Sequence, residues 1–519
     1  MWLLIANCQR FSKLVSGSLE IDWELIIIEQ TYLIFFSVMS NLVVQTDSVV
    51  TIPFGAWHED KELNFNFPPG WKAYVMSPID GKAMSDAQID QAFAEPMSTK
   101  QLRFLAKGKK DAIICVDDIT RPTPAYLLLP RIVKELLQAN INSRQIRILV
   151  GTGAHRPMND EELALKLGKE ITNKFQISTH DFLGTDVRFV GWVKGGPVYL
   201  NRLFLEADLR ICVGGVIPHG ETGFGGGAKM VVPGLSGKRT ISHFHGALPP
   251  RPAGQLEFDG AKLDRRSWSE AVARHVGVDF SICAVINSKR ELAGLFVGDI
   301  VKAYHEAARK AKEIGRTVLD KKWVTRADVF IVNSYPLDTD PIQMGKSLAI
   351  SKILSAKSTV VVNAASDGIF YHGMGIGSGI SAKRLLYNVP GFLINPINQL
   401  TFLRSMFTGV RTINTAMRLC YFTFNALSYE RFLKTRRRIE FDQTTRTVKE
   451  ELADPVVFSK RFPSWGFRRK YYHGVLYRDW QQVCETMNKR YHSGVALIFP
   501  CAPLQLPDLS LNLTGLKPA

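Results

Sequence analysis

An α/β fold built on parallel sheets is predicted by three observations. Short apolar runs at residues 112–116, 146–150 and 209–213 are suited to strands buried on both faces. Each run gives way to a polar or glycine-containing loop, and helix-periodic stretches alternate with the runs from about residue 110 onward. A chain of 519 residues is too long for one hydrophobic core, so the pattern is expected to be shared between two α/β domains with an active-site cleft between them.

Taken from the amino end, residues 1–38 are expected to be a non-native or dispensable extension. The apolar stretch 23–38 is interrupted by Glu24, Glu29 and Gln30, short of the roughly 20 residues that span a bilayer. It also lacks the order of a secretory signal, whereas Met39-Ser40-Asn41 reads as a domain start. A first domain is assigned to 39–290. Its run 112–116 leads through Asp117 to Pro124 into a helix over 126–137. Run 146–150 leads through Gly151-Thr152-Gly153-Ala154-His155-Arg156-Pro157 to Asn159, an N-cap for a helix over 160–167. Run 209–213 leads to a glycine-rich loop ending at Lys229. A second α/β domain is assigned to 291–395, with helices over 301–314 and 343–354, strands over 329–332 and 359–363, and a glycine-rich segment over 373–379. Residues 396–519 form a basic extension, expected to be an added surface subdomain, an oligomer contact or a completion of the second domain.

With 46% apolar and 22% charged residues the chain reads as soluble and globular. Its net charge of +17 suits nucleic acid, an anionic membrane or small acidic substrates. Much of the basic excess sits late, at Lys434 to Arg438, Lys460-Arg461 and Arg468 to Lys470, with no nucleic-acid motif beside it. Nucleic acid and membrane are therefore set aside as partners in favour of a small anionic substrate. The seven cysteines form no CxxC pair, and Cys115 and Cys212 fall inside apolar runs, as reduced thiols of a cytoplasmic protein do.

In open α/β sheets ligands collect beyond the carboxyl ends of strands, so the three loops are the places to look for chemistry. Asp118 stands three residues before Arg121, close enough to orient a guanidinium that matches a carboxylate or phosphate; the plainer alternative is an ion-paired turn before Pro122. His155 lies on a constrained loop where an imidazole can take and return a proton, or merely be solvated. His219 occupies the equivalent place after another strand. Two imidazoles flanking one substrate would suit racemisation. The run Gly220 to Gly227 permits positive φ and close backbone approach to a phosphate or flat cofactor. Lys229 can then be a phosphate ligand, or a desolvated amine that forms a covalent link to a cofactor. Gly237-Lys238 does not complete a P-loop, since Arg239 follows it and Val232, five residues before Gly237, stands where a glycine is needed, and the glycine run lies too far from its strand for a dinucleotide fingerprint. His243-Phe244-His245 offers two imidazoles to a metal but no cysteine or carboxylate cluster to complete a site.

The ordered set Asp118-Ile119-Thr120-Arg121-Pro122, Gly151 to Pro157, His219…Lys229…His245 and Gln343-Met344-Gly345-Lys346 resembles the nickel-pincer lactate racemase family, over roughly residues 50–390. The resemblance implies a Rossmann-like N-terminal domain and an isomerase, a racemase or epimerase of a small anionic 2-hydroxy acid. It implies nickel held by a pyridinium-3,5-bisthiocarboxylic acid mononucleotide joined to Lys229, with His245 as a metal ligand and cofactor contacts from Asp118, Thr120, Gly225, Gly226 and Gly227. His155 and His219 are then the catalytic acid and base, and Arg121, Gln343 and Lys346 hold the substrate. Hydride transfer coupled to proton transfer, and cofactor-biosynthesis enzymes as partners, are implied in the same way. Ile342 stands where the family's lactate enzymes carry an aromatic residue, which changes the pocket wall. Against this reading stand two others: a non-catalytic anion- or nucleotide-binding protein of the same fold, and a phosphate-handling α/β enzyme with a magnesium site drawn from Asp117, Asp118, Asp338 and Asp340.

Overall fold

The structure is a computed structural model that describes residues 43–46, 49–155, 157–182, 184, 186–260, 263–339, 343–365, 455–461 and 475–511. The chain divides into two units at Val44/Gln45, and the second carries the elements that build the candidate site. The expected extension 1–38, the glycine-rich segment 373–379, Asp340, Ile342 and the basic runs 434–438 and 468–470 lie outside the described residues.

The three apolar runs are strands of one sheet. Its order is Leu292–Gly298, Phe280–Ile286, Leu209–Gly215, Ala112–Asp117, Ile146–Gly151 and Gln176–Thr179, parallel throughout except for the antiparallel edge strand Leu292–Gly298. Strand side chains alternate between faces. Ala112, Ile114 and Val116 enter one apolar cluster with Leu128, Leu129, Ile132 and Leu136 of the helix Ala125–Gln138. Ile113 and Cys115 enter another on the opposite face with Phe244, Trp268 and Val272. Both faces are covered, which is why these strands read as continuous rather than alternating apolar runs. Asn159 caps the helix Asp160–Leu167 as the sequence predicts: its side chain accepts from the Glu162 N–H at 2.9 Å, and Glu162 Oε2 accepts from the Asn159 N–H at 2.8 Å.

A second parallel sheet draws on distant parts of the chain. Trp71–Met76 pairs with Gly494–Phe499, which pairs with Val329–Asn333, followed by Thr359–Val362, Val456–Phe458 and Val475–Tyr477. Residues late in the basic extension are therefore sheet residues. Gly494–Phe499 reads as a strand in the sequence, whereas Val456–Phe458 and Val475–Tyr477 are runs of three among charged and aromatic neighbours, which carry no usable period. Among the described residues no helix is long and apolar enough to cross a membrane, and Cys115, Cys212, Cys283, Cys484 and Cys501 are buried free thiols.

Asp338, just past Val329–Asn333, ties this sheet to the amino-terminal region. Its Oδ2 and Oδ1 accept from the Gly55 and Ala56 N–H groups at 2.7 and 3.2 Å. Burial pushes its carboxyl up to about 6, against the pull of those two donors. The native state thus holds the proton more tightly than the unfolded chain, where the ordinary value is 3.8. The stabilisation is present below that value and is lost as pH rises through 6. Urea unfolding of wild type and Asp338→Asn should show their stability difference falling by about 3 kcal/mol between about pH 4 and 7; a flat difference would refute the assignment.

Candidate active site

The strands Leu209–Gly215, Ala112–Asp117 and Ile146–Gly151 are neighbours, so the loops leaving their carboxyl ends meet above the sheet. A buried ion pair fixes the meeting point. Lys166, fully buried, lies 2.7 Å from Asp117 Oδ1 and donates to the carbonyls of Arg121 and Thr123 at 2.7 and 3.0 Å. Asp117 Oδ2 accepts from Thr123 Oγ1 and the Gly215 N–H at 2.6 and 2.9 Å. Two strand ends and the 118–123 loop are thereby joined to the helix Asp160–Leu167.

On that loop Asp118 faces His155. Its Oδ2 lies 2.6 Å from His155 Nδ1, while Oδ1 accepts from the Thr120 N–H at 3.0 Å and from Thr120 Oγ1. Burial raises the Asp118 carboxyl, but the charge and hydrogen bond of His155, with Arg121 and Thr120, hold it well below the usual carboxylate range. A carboxylate only accepts, so His155 carries its proton on Nδ1 and the basic lone pair of the neutral ring is on Nε2. Arg121 Nη1 donates to Thr120 Oγ1 at 2.9 Å. Asp118 orients the histidine directly, and Arg121 through Thr120.

The glycine loop folds back on the strand it leaves. Gly223, Gly226 and Gly227 adopt φ of 70°, 70° and 56°, while Gly220 and Gly225 stay outside the left-handed region. At Gly227 a Cβ would also lie 2.8 Å from the Tyr304 side chain, and at Gly223 it would lie 2.1 Å from the Gln255 carbonyl, so both positions require glycine. Arg266, fully buried against the Tyr304 ring, donates to the carbonyls of Gly226 at 3.0 Å and of Phe224. This holds His219 and Lys229 together, with Lys229 Nζ 2.8 Å from His219 Nε2. Burial lowers both groups well below their ordinary values. For Lys229 the next cause is Arg121, opposed by Glu221; for His219 it is Lys229, followed by Lys346 and Arg121. The cluster disfavours the charged forms of both the amine and the imidazole.

His245 is on the helix Lys238–Gly246, with Nδ1 3.2 Å from Glu221 Oε2. Glu221 Oε1 is 3.1 Å from Arg265 Nη1. Burial raises the Glu221 carboxyl, but His245, Lys229 and Arg265 bring it down to about 2. His243 turns elsewhere, its ring 5.0 Å from that of Trp268. Among the described residues no three His, Cys, Asp or Glu side chains converge as a metal site. From the second sheet's side, Gln343 is buried, and the charge of Lys346 acts on His219.

The predicted residues His155, Asp118, Thr120 and Arg121 thus form one contact group, and His219, Lys229 and the glycine run form another, linked through the charge of Arg121. Sequence reasoning missed Lys166, Glu221, Arg265 and Arg266. Arg265 and Arg266 did leave a signal: two cations open the helix Arg265–Val276 behind its N-cap Asp264, where the helix dipole disfavours them, so they need acceptors elsewhere.

A family model described as the lactate racemase N-terminal domain matches residues 58–254. The lactate racemase of Thermoanaerobacterium thermosaccharolyticum is 30% identical over 333 residues, spanning 62% of this chain and 75% of that protein. That of Lactiplantibacillus plantarum is 29% identical over 310 residues, 56% of this chain and 70% of that protein. The fold is similar to the lactate racemase apoprotein structure from T. thermosaccharolyticum, with a TM-score of 0.58 at 20% identity over 89% of this chain and 100% of that one. A Thermotoga maritima structure gives a TM-score of 0.51 at 16% identity, over 83% of this chain and 99% of that one. With 30% identity across three quarters of a lactate racemase, this chain belongs to the lactate racemase family, a family of isomerases.

Proposed function

We propose that the protein racemises or epimerises a small 2-hydroxy acid using a nickel-pincer nucleotide attached through Lys229. The observation that carries this reading is the Lys229 amine lying 2.8 Å from His219 in a pocket of cations. A lysine that keeps its proton is no nucleophile, and burial among Arg121, Arg265 and Arg266 is what depresses this one. The same cations suit a phosphate-bearing group and an anionic substrate.

The residues fit such a cofactor. His245 offers one imidazole, with Nδ1 directed at Glu221 and Nε2 as the ring's donor atom, so the remaining donors would come from the cofactor itself. Lys229 would anchor the nucleotide, and Gly225, Gly226, Gly227, Asp118 and Thr120 would line its seat. When bound, the cofactor supplies an acceptor and donor of hydride.

The chain's own residues do the rest. Arg121 and Lys346 bind the substrate carboxylate, with Gln343 as a hydrogen-bonding partner. His155, its Nδ1 held by Asp118, takes the 2-hydroxyl proton at Nε2 as C2 gives up its hydride, leaving a 2-keto acid. The keto acid turns and hydride returns to its other face, with His219 as the acid–base group for that direction, acting as acid only in the half-cycle in which it starts protonated and His155 neutral. The expected partners are the substrate and the enzymes that make the cofactor, in a cytoplasmic setting. The altered wall that Ile342 implies directs the substrate search beyond lactate, to malate and sugar acids.

Three outcomes are expected. With limiting amine reagent near pH 7, mass spectrometry should find Lys229 of the cofactor-lacking protein modified well ahead of surface lysines; equal labelling would contradict a depressed amine. Protein produced together with cofactor-biosynthesis enzymes should carry nickel and a mass adduct on Lys229, and should interconvert the enantiomers of at least one hydroxy acid. No adduct and no nickel would defeat the proposal. Asp118→Asn, which removes the acceptor that fixes the His155 tautomer, should cut kcat by about 100-fold or more while leaving the adduct intact.

A further inference from the structure

Glu221 touches the imidazoles of both His219 and His245. Its backbone N–H donates to His219 Nδ1 at 3.3 Å, and its Oε2 lies 3.2 Å from His245 Nδ1. The other carboxylate oxygen is engaged by Arg265 Nη1 at 3.1 Å, and Arg265 Nη2 donates to the His245 carbonyl at 2.7 Å. Arg265 is itself seated by the carbonyls of Phe244 and Leu248, which accept from its Nε at 2.9 and 3.1 Å. The guanidinium therefore has a fixed position from which it always demands an acceptor.

We infer that Glu221 is a positioning residue that sets the tautomer of His245, holding its proton on Nδ1 and turning the Nε2 lone pair toward the site. The reasoning is one of donor and acceptor matching. Arg265 takes one carboxylate oxygen, so the second is the acceptor left for His245, and an acceptor there requires Nδ1–H. The backbone contact places His219 in the same frame, since moving Glu221 moves the N–H on its Nδ1. One residue thereby registers two imidazoles assigned different tasks. What Nε2 then ligates rests on the proposed function; the tautomer does not.

Glu221→Gln tests this with almost no change in shape. Glutamine has one acceptor oxygen, and Arg265 claims it. The amide NH2 then faces His245 Nδ1, which must become an acceptor, so the ring proton moves to Nε2. Nitrogen-15 spectra of histidine-labelled protein without cofactor, with His245 assigned by the signal lost in His245→Asn, should read Nδ1–H in wild type and Nε2–H in Glu221→Gln. Nε2–H in wild type, or an unchanged tautomer in the variant, would overturn the inference. Should the variant fail to fold, the wild-type tautomer alone decides. In protein loaded with cofactor, Glu221→Gln should keep the Lys229 adduct yet bind nickel about 10- to 100-fold more weakly, read by metal content after dialysis. A merely structural role would leave nickel retention unchanged, which also counts against the inference. Wild type that never carries nickel would defeat the proposed function while leaving the spectra to judge Glu221.

Discussion

The site depends on one buried ammonium. Lys166 neutralises Asp117 and donates to two carbonyls of the loop that carries Asp118 and Arg121. Removing either partner would leave a charge with no water to solvate it, a loss of about 3–5 kcal/mol that falls on the junction of two strand ends. Such a pair contributes little net stability compared with apolar residues of the same volume. It contributes geometry, because an ion pair with directed hydrogen bonds has one low-energy arrangement. The loop from Asp118 to Arg121 inherits that arrangement, and His155 inherits it from Asp118.

Above this anchor, charge is unbalanced. Arg121, Lys229, Arg265, Arg266 and Lys346 gather around three histidines, with Asp118 and Glu221 as the close carboxylates. Each carboxylate is committed to an imidazole: Asp118 to His155 and Glu221 to His245. The remaining cations act on Lys229 and His219, the two groups whose charged forms are disfavoured. The pocket thus separates histidines that are oriented by an anion from a histidine kept neutral by its surroundings, and different environments set different tasks.

Much of the fold was legible because the parallel strands are buried on both faces, and that burial writes itself into the sequence as short unbroken apolar runs at 112–116, 146–150 and 209–213. Asn159 was legible because a cap needs one specific side chain at one specific place. The strands Val456–Phe458 and Val475–Tyr477 were not, since three residues carry no period and their partners are remote in sequence. In the site, His155, His219 and Lys229 stood out because they are reactive types beside glycines. Lys166, Glu221 and Arg266 did not, because a charged residue on a helix or loop reads as solvated until its burial is known.

The second sheet places Trp71–Met76 against Gly494–Phe499. The first sheet draws all its strands from residues 112–298 and can assemble as soon as that stretch has left the ribosome. The second keeps one edge of Trp71–Met76 unpaired until almost the whole chain has been made. For most of synthesis, then, a finished half of the molecule travels with an unfinished sheet that exposes its hydrogen-bonding edge, the surface on which newly made chains associate wrongly. Joining early and late strands in one sheet means that the second sheet can close only after Gly494–Phe499 has been made.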